Sequence, residues 1–200
     1  MSAPHARHSA HSGFTLIEVL IAVSLLALVL GSLGLANSSS RRAYRTGAVL
    51  MDVETRGTRI LRELVDELRL ADISSLSTVP APPLSVSTVD FQTSQGFNGK
   101  RTQWSDPLRI QLDADGRVRI VESPGLAEER ARVIGRSVPD LLAGETLDGT
   151  DENGNGLVDE AGLCFSRSGN MLTVRLTVQG VGPDGRTLTR TWVTNLHCRN

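Results

Sequence analysis

Aromatic residues make up only 4% of this 200-residue chain, too few to furnish stacking platforms for bases or sugars. Lysine is nearly absent: Lys100 is the one lysine among 21 basic residues. The formal net charge is −1, which argues against a nucleic-acid binder working through bulk positive charge. Cysteine occurs twice, at Cys164 and Cys198, which allows one disulfide at most and excludes a thiolate zinc cluster built by this chain alone. No Gly-x-Ser-x-Gly elbow, phosphate-binding loop or zinc-type His/Glu motif is present, so no catalytic constellation emerges. With 40% apolar and 22% charged residues, the composition is that of one ordinary domain with a short appendage, neither disordered nor polytopic.

What the averages hide is how unevenly the apolar residues fall. Residues 1–13 are polar, with Arg7 and three histidines and no acid. An apolar run then extends from Phe14 to Ala36, about 35 Å as a helix and enough to cross a hydrocarbon core of about 30 Å. Glu18 interrupts it. An ionised side chain at such a depth costs about 2.5–3.5 kcal/mol, and the cost falls if a positive partner shares the setting. The nearest such partner is a new amino terminus made by cleavage just before Phe14. Two other readings are a cleaved secretory signal ending at Gly34-Leu35-Ala36, releasing a chain that starts at Asn37, and an uncleaved anchor. Neither accounts for Glu18. Arg41, Arg42 and Arg45 come directly after the span, and charge alone would hold that end in the cytoplasm.

Gly13-Phe14-Thr15-Leu16-Ile17-Glu18-Val19-Leu20 resembles the N-terminal signature of type IV prepilins and type II secretion prepseudopilins. The resemblance covers leader, cut site and hydrophobic helix. It implies cleavage by a membrane prepilin peptidase between Gly13 and Phe14, methylation of Phe14, and a Glu18 that neutralises a neighbouring subunit's terminal amine during assembly. The partners it implies are other pilin or pseudopilin subunits, the peptidase, an inner-membrane assembly platform and the lipid bilayer. The implied location is the bacterial inner membrane, single-pass, with a cytoplasmic N-terminus and a periplasmic head, then a filament in the periplasm or at the cell surface. The size of the head and an ending at His197-Cys198-Arg199-Asn200 resemble J- or W-type minor components. The alternative is a membrane-anchored or secreted, calcium-stabilised binding or adhesin module.

Beyond the span, Val49, Val53, Ile60, Leu61, Leu64, Val65 and Leu68 recur at helical spacing among charged residues, predicting an amphipathic stalk over 37–73. One helix from Phe14 to about Ala71 would be about 87 Å long. Gly31, Gly34 and Asn37–Ser40 weaken it, as a bend or as a second helix start capped by Ser38 or Ser39. A Pro/Ser-rich linker comes next, over 74–84. In the head, 85–200, Leu108, Ile110 and Leu112 alternate before Asp113-Ala114-Asp115-Gly116, and Val118 and Ile120 alternate after it. Met171–Gln179 and Arg186–Leu196 flank Gly182-Pro183-Asp184-Gly185 in the same way. These patterns predict two hairpins, with a further short strand at Val133-Ile134. The predicted fold is α+β: a long N-terminal helix on an antiparallel head, which is also the architecture the resemblance implies.

The segment 148–160 is rich in oxygen donors. Asp151, Asn153 and Asn155, then Gly156 for a sharp turn, a carbonyl at Leu157 and Asp159 in the ninth position, match the spacing of EF-hand-type calcium loops. Gly162 stands where the twelfth-position glutamate would be, and Glu160 lies two residues earlier. The loop therefore resembles the short calcium loops of dockerins and predicts a structural Ca2+; a metal-free acidic turn is the alternative. Cys164 and Cys198 lie beyond the membrane on this topology, and a bridge between them would contribute about 4 kcal/mol; two buried thiols that never meet are the alternative.

Overall fold

The computed structural model describes residues 15–76 and 79–198, and the chain divides into two compact units after Tyr44. The architecture is the predicted α+β one. Helix α1 (Leu16–Leu68) precedes a single 3-10 turn (Ile73–Ser75) and the strands β1 (Thr88–Phe91), β2 (Ser94–Phe97), β3 (Thr102–Trp104), β4 (Leu108–Leu112), β5 (Val118–Glu122), β6 (Arg130–Gly135), β7 (Leu163–Ser168), β8 (Met171–Val181) and β9 (Thr187–His197). All pairings between these strands are antiparallel, in sheets ordered β1-β4-β5-β6 and β7-β8-β9 with a separate β2-β3 hairpin.

α1 runs through Asn37–Ser40 without a second start. Ser38 and Ser39 donate their hydroxyls to the carbonyls of Leu35 and Ala36 at 2.8 and 2.9 Å. They thus bond back along the helix instead of capping a new one. In the second unit the helix buries Val53, Gly57, Ile60, Leu64 and Leu68, steps of three or four that keep one stripe inward. That stripe shares a core with Val89, Phe91 and Ile110 of the four-stranded sheet and with Phe165, Leu172 and Leu176 of the three-stranded one. Each such side chain taken fully from water contributes about 1.5–3 kcal/mol.

Both predicted hairpins are present. Leu112 faces Val118 across a turn in which Gly116 has φ +70°, and Val181 faces Thr187 across one in which Gly185 has φ +77°; glycine takes such angles without a Cβ penalty. The predicted Val133-Ile134 strand lies within β6. The Pro/Ser-rich segment is packed down and is not a free tether. Leu76 and Val79 are buried, and the carbonyls of Pro80 and Pro83 accept from Arg167 and Val158 at 2.8 and 3.0 Å.

Helix and sheets approach closely where glycine permits it. A Cβ on Gly57 would lie 2.1 Å from the Trp192 ring, one on Gly135 2.4 Å from Ile60, and one on Gly180 2.8 Å from Val53. The Arg132 guanidinium bridges Glu63 and Glu67 of the helix at 2.8 and 3.1 Å, and Arg190 meets Glu54 at 2.9 Å; at such exposure these pairs align more than they stabilise.

Gly57→Ala is expected to destabilise the head by about 1–3 kcal/mol, because overpacking against Trp192 exceeds the roughly 1 kcal/mol that alanine gains in a helix. Gly47→Ala, which meets nothing within 4 Å, should instead be neutral or slightly stabilising. Denaturant titration of the full chain in detergent, monitored by tryptophan fluorescence, compares the two.

Candidate functional site

The acidic segment hangs from a closed base. Leu141 pairs with Ala161, the Leu142 N–H donates to the Glu160 carbonyl at 2.8 Å, and the Gly162 N–H donates to the Asp140 carbonyl at 3.1 Å. Within the loop most side-chain oxygens are committed to backbone N–H groups. Asp151 accepts from Asn155 and Gly156 at 3.0 and 2.8 Å, Asn153 accepts from Asn155 at 3.0 Å, and Asn155 accepts from Leu157 at 2.9 Å. Leu157 itself is buried and anchors the turn to the core side. Asp159 turns away from these residues and accepts from the N–H groups of Asp148 and Gly149, both at 2.9 Å. The loop thus builds the tight turn its spacing predicts, while Asp159 belongs to the preceding bend.

Glu160 is different. It is fully buried, and its Oε1 accepts from the Asn155 side-chain amide at 2.5 Å. Beside it lies Glu145, 7% exposed, which the spacing of the loop gave no reason to single out. It arrives through the pairing of Leu142 with Glu160, a contact with no local periodicity to announce it. Both oxygens of Glu145 and Oε2 of Glu160 are buried without a hydrogen-bond partner. Burial, then the adjacent Glu160 and Glu152 carboxylates, push the Glu145 carboxyl up to about 7. Hydrogen bonds from Thr146, then Thr150, hold Glu152 down at about 2. Among the described residues no three of His, Cys, Asp and Glu form a cluster of metal-ligating geometry.

At the other end of the chain, Thr15 opens α1. Its hydroxyl accepts from the Glu18 N–H at 3.3 Å and its carbonyl accepts from Glu18 and Val19 at 3.1 and 3.2 Å. Glu18 thus sits three residues past an N-capping threonine, in the first turn, where the helix dipole favours a carboxylate. Past this turn the helix is apolar and uncovered: an 18-residue window of mean hydropathy 2.6 has none of its residues buried. The hydroxyls of Ser24 and Ser32 donate to the Leu20 and Val29 carbonyls, each at 2.8 Å, so polar groups in this stretch are satisfied internally, as a hydrocarbon setting demands. The helix is long and apolar enough to cross a membrane. Gly13 and Phe14 lie outside the described residues.

Residues 8–34 match the family model described as the prokaryotic N-terminal methylation motif. This supports the type IV pilin-like superfamily. No curated protein and no solved structure matches the chain. The methylation motif indicates a type IV pilin or pseudopilin-type precursor, and implies contact with other pilin subunits and with a prepilin peptidase. The uncovered apolar helix that carries it fits membrane anchoring.

In the head the sheet does not bring the two cysteines together. Cys164 on β7 stands opposite Arg175, which stands opposite Val193 on β9, whereas Cys198 comes just after the end of β9. The offset along the strands is about 16 Å, against a Cα separation of at most about 7 Å in a disulfide. The faces differ too. Leu163 and Phe165 join the core cluster, so Cys164 between them points to the opposite face, while Leu196 and Cys198 are core residues. Both cysteines are free thiols, which corrects the predicted bridge. Burial pushes the Cys164 thiol up to about 12 and raises that of Cys198.

Alkylation is expected to label neither thiol rapidly at pH 8 in the native chain and both after denaturation without reductant. Labelling of neither after denaturation would restore the bridge.

Proposed function

We propose that the chain is a minor pilin or pseudopilin: a structural subunit, not an enzyme, of a type IV pilus or a type II secretion pseudopilus. The observation that carries this reading is the methylation motif on an uncovered apolar helix with one acid, Glu18, in its first turn. The precursor waits in the bacterial inner membrane with its N-terminus in the cytoplasm and its head in the periplasm. A prepilin peptidase cuts between Gly13 and Phe14 and methylates Phe14, and an inner-membrane assembly platform then moves the subunit from the bilayer into the filament.

The physical logic is an exchange of solvents. In the bilayer, lipid chains cover the apolar helix; in a filament, neighbouring helices do. Lipid is as apolar as leucine, so the exchange needs a driving force beyond apolar burial. Glu18 provides one by pairing with a neighbour's terminal amine, since a charge pair in a low-dielectric setting is worth far more than in water. The J- or W-type assignment rests on the resemblance of the head to those minor components.

Intact mass and N-terminal sequencing of the membrane-fraction protein test the processing step. The expected result is a peptidase-dependent start at Phe14 carrying one added methyl group; a start at Met1 or Asn37 overturns it in favour of an anchored or secreted binding module. Glu18→Ala is expected to leave cleavage and insertion intact and to lower incorporation into filaments, read by immunogold counts on sheared filaments. Wild-type incorporation would sink the pairing mechanism.

A further inference from the structure

Glu145 and Glu160 are neighbouring buried carboxylates, and among the described residues no cationic side chain pairs with either, an unbalanced arrangement. Neighbouring like charges in a low-dielectric interior are strongly disfavoured unless something positive joins them. A shared proton is one solution; a cation is the other. The three unpartnered oxygens, two from Glu145 and one from Glu160, are turned inward and away from water. Asn155 fixes the remaining Glu160 oxygen from the loop side.

We propose that Glu145 and Glu160 are the two anionic ligands of a calcium ion held at the base of the 146–159 loop. The donor chemistry selects the ion. Every available ligand is a hard oxygen, which excludes the softer metals that prefer nitrogen or sulfur. Two carboxylates balance one divalent charge. With no three-acid cluster among the described residues, the other positions fall to neutral oxygens and water. Calcium, with six to eight ligands and tolerant geometry, accepts that mixture, whereas magnesium demands a near-ideal octahedron. The assignment differs from the one that spacing alone gives. Asp151 and Asn153 accept from the loop's own N–H groups and Asp159 Oδ1 caps the bend at 148–149, so these oxygens are partly satisfied without an ion while retaining lone pairs. Of the spaced residues only Glu160 keeps a buried oxygen free, and its partner, Glu145, comes from outside the motif.

The ion would tie the turn at Leu142–Glu145 to the residue that leads into β7, two segments already joined by the Leu142–Glu160 backbone bond. Its effect is local: it pins the exit of a long loop to the start of the sheet. Nothing in this assignment depends on the filament reading, which the start at Phe14 tests separately.

The test is calorimetric titration of the full chain in detergent, stripped with EGTA, with CaCl2 and in parallel MgCl2. The expected result is one Ca2+ per chain with Kd about 10^-4 M, in the range of extracellular calcium modules. No Mg2+ heat is expected at the same concentrations, and the unfolding midpoint should rise when calcium is added. Glu145→Gln and Glu160→Gln should each weaken calcium binding by about tenfold or more. In EGTA both should unfold at or above the wild-type temperature, because an amide removes the clash of carboxylates. Asp159→Asn, whose amide oxygen can still accept from Asp148 and Gly149, should bind as the wild type does. A wild-type chain that takes up no calcium overturns the proposal in favour of the shared proton. Undiminished binding by both glutamine variants overturns it in favour of an ion held by Asp151 and Asn153. The wild-type titration needs no variant, so a substitution that fails to fold leaves the test intact.

Discussion

The head depends on one shared apolar face, that of α1 between Val53 and Leu68. The four-stranded and the three-stranded sheet each present an apolar surface, and neither is large enough to be stable as a separate layer. The helix supplies the missing layer to both, which is why Ile60 and Leu64 are fully buried and why glycine stands at Gly57, Gly135 and Gly180. Where side chains of one element must fit against the backbone of another, the backbone has to be bare. The cost is helix propensity at Gly57, about 1 kcal/mol, offset by the seating of the Trp192 ring.

The same helix presents two kinds of surface. Up to Tyr44 its apolar residues are uncovered, and from Arg45 onward it carries a single inward stripe. No change of secondary structure marks the transition; only the pattern of side chains changes, from apolar all round to apolar on one side. The methylation motif lies at the start of this helix, the end remote in sequence from the sheets.

Much of this was legible in the residues. The stalk stripe declared itself through its spacing, and β4, β5, β8 and β9 through alternation around glycine-bearing turns. β2 and β3 did not, because all their residues are exposed and a strand with no buried face has no period to read. β1 has only Val89 and Phe91 inward, too short a run to stand out. The disulfide misled for a related reason: sequence gives the number of cysteines but not the face of the sheet each one occupies. In the acidic loop, the glycine-bearing turn is present, with Asp151 accepting from Asn155 and Gly156. Glu145 was invisible, since it meets Glu160 only through pairing between segments that flank the loop. Local chemistry is written locally, whereas the partner of a buried charge is chosen by topology.

The seat of Trp192 against Gly57 has a consequence for biogenesis. The helix precedes β9 in the chain, so the ring that closes the helix stripe is made long after the stripe itself. A chain held in the membrane by its first unit would carry its second helical stretch, apolar stripe open, until β9 has been made. Its head cannot close from the front, one piece after another, because long-range contacts wait for the last strand. Any nascent-chain chaperone that guards this chain must therefore cover residues 53–68 once they emerge and let go only when β9 has followed.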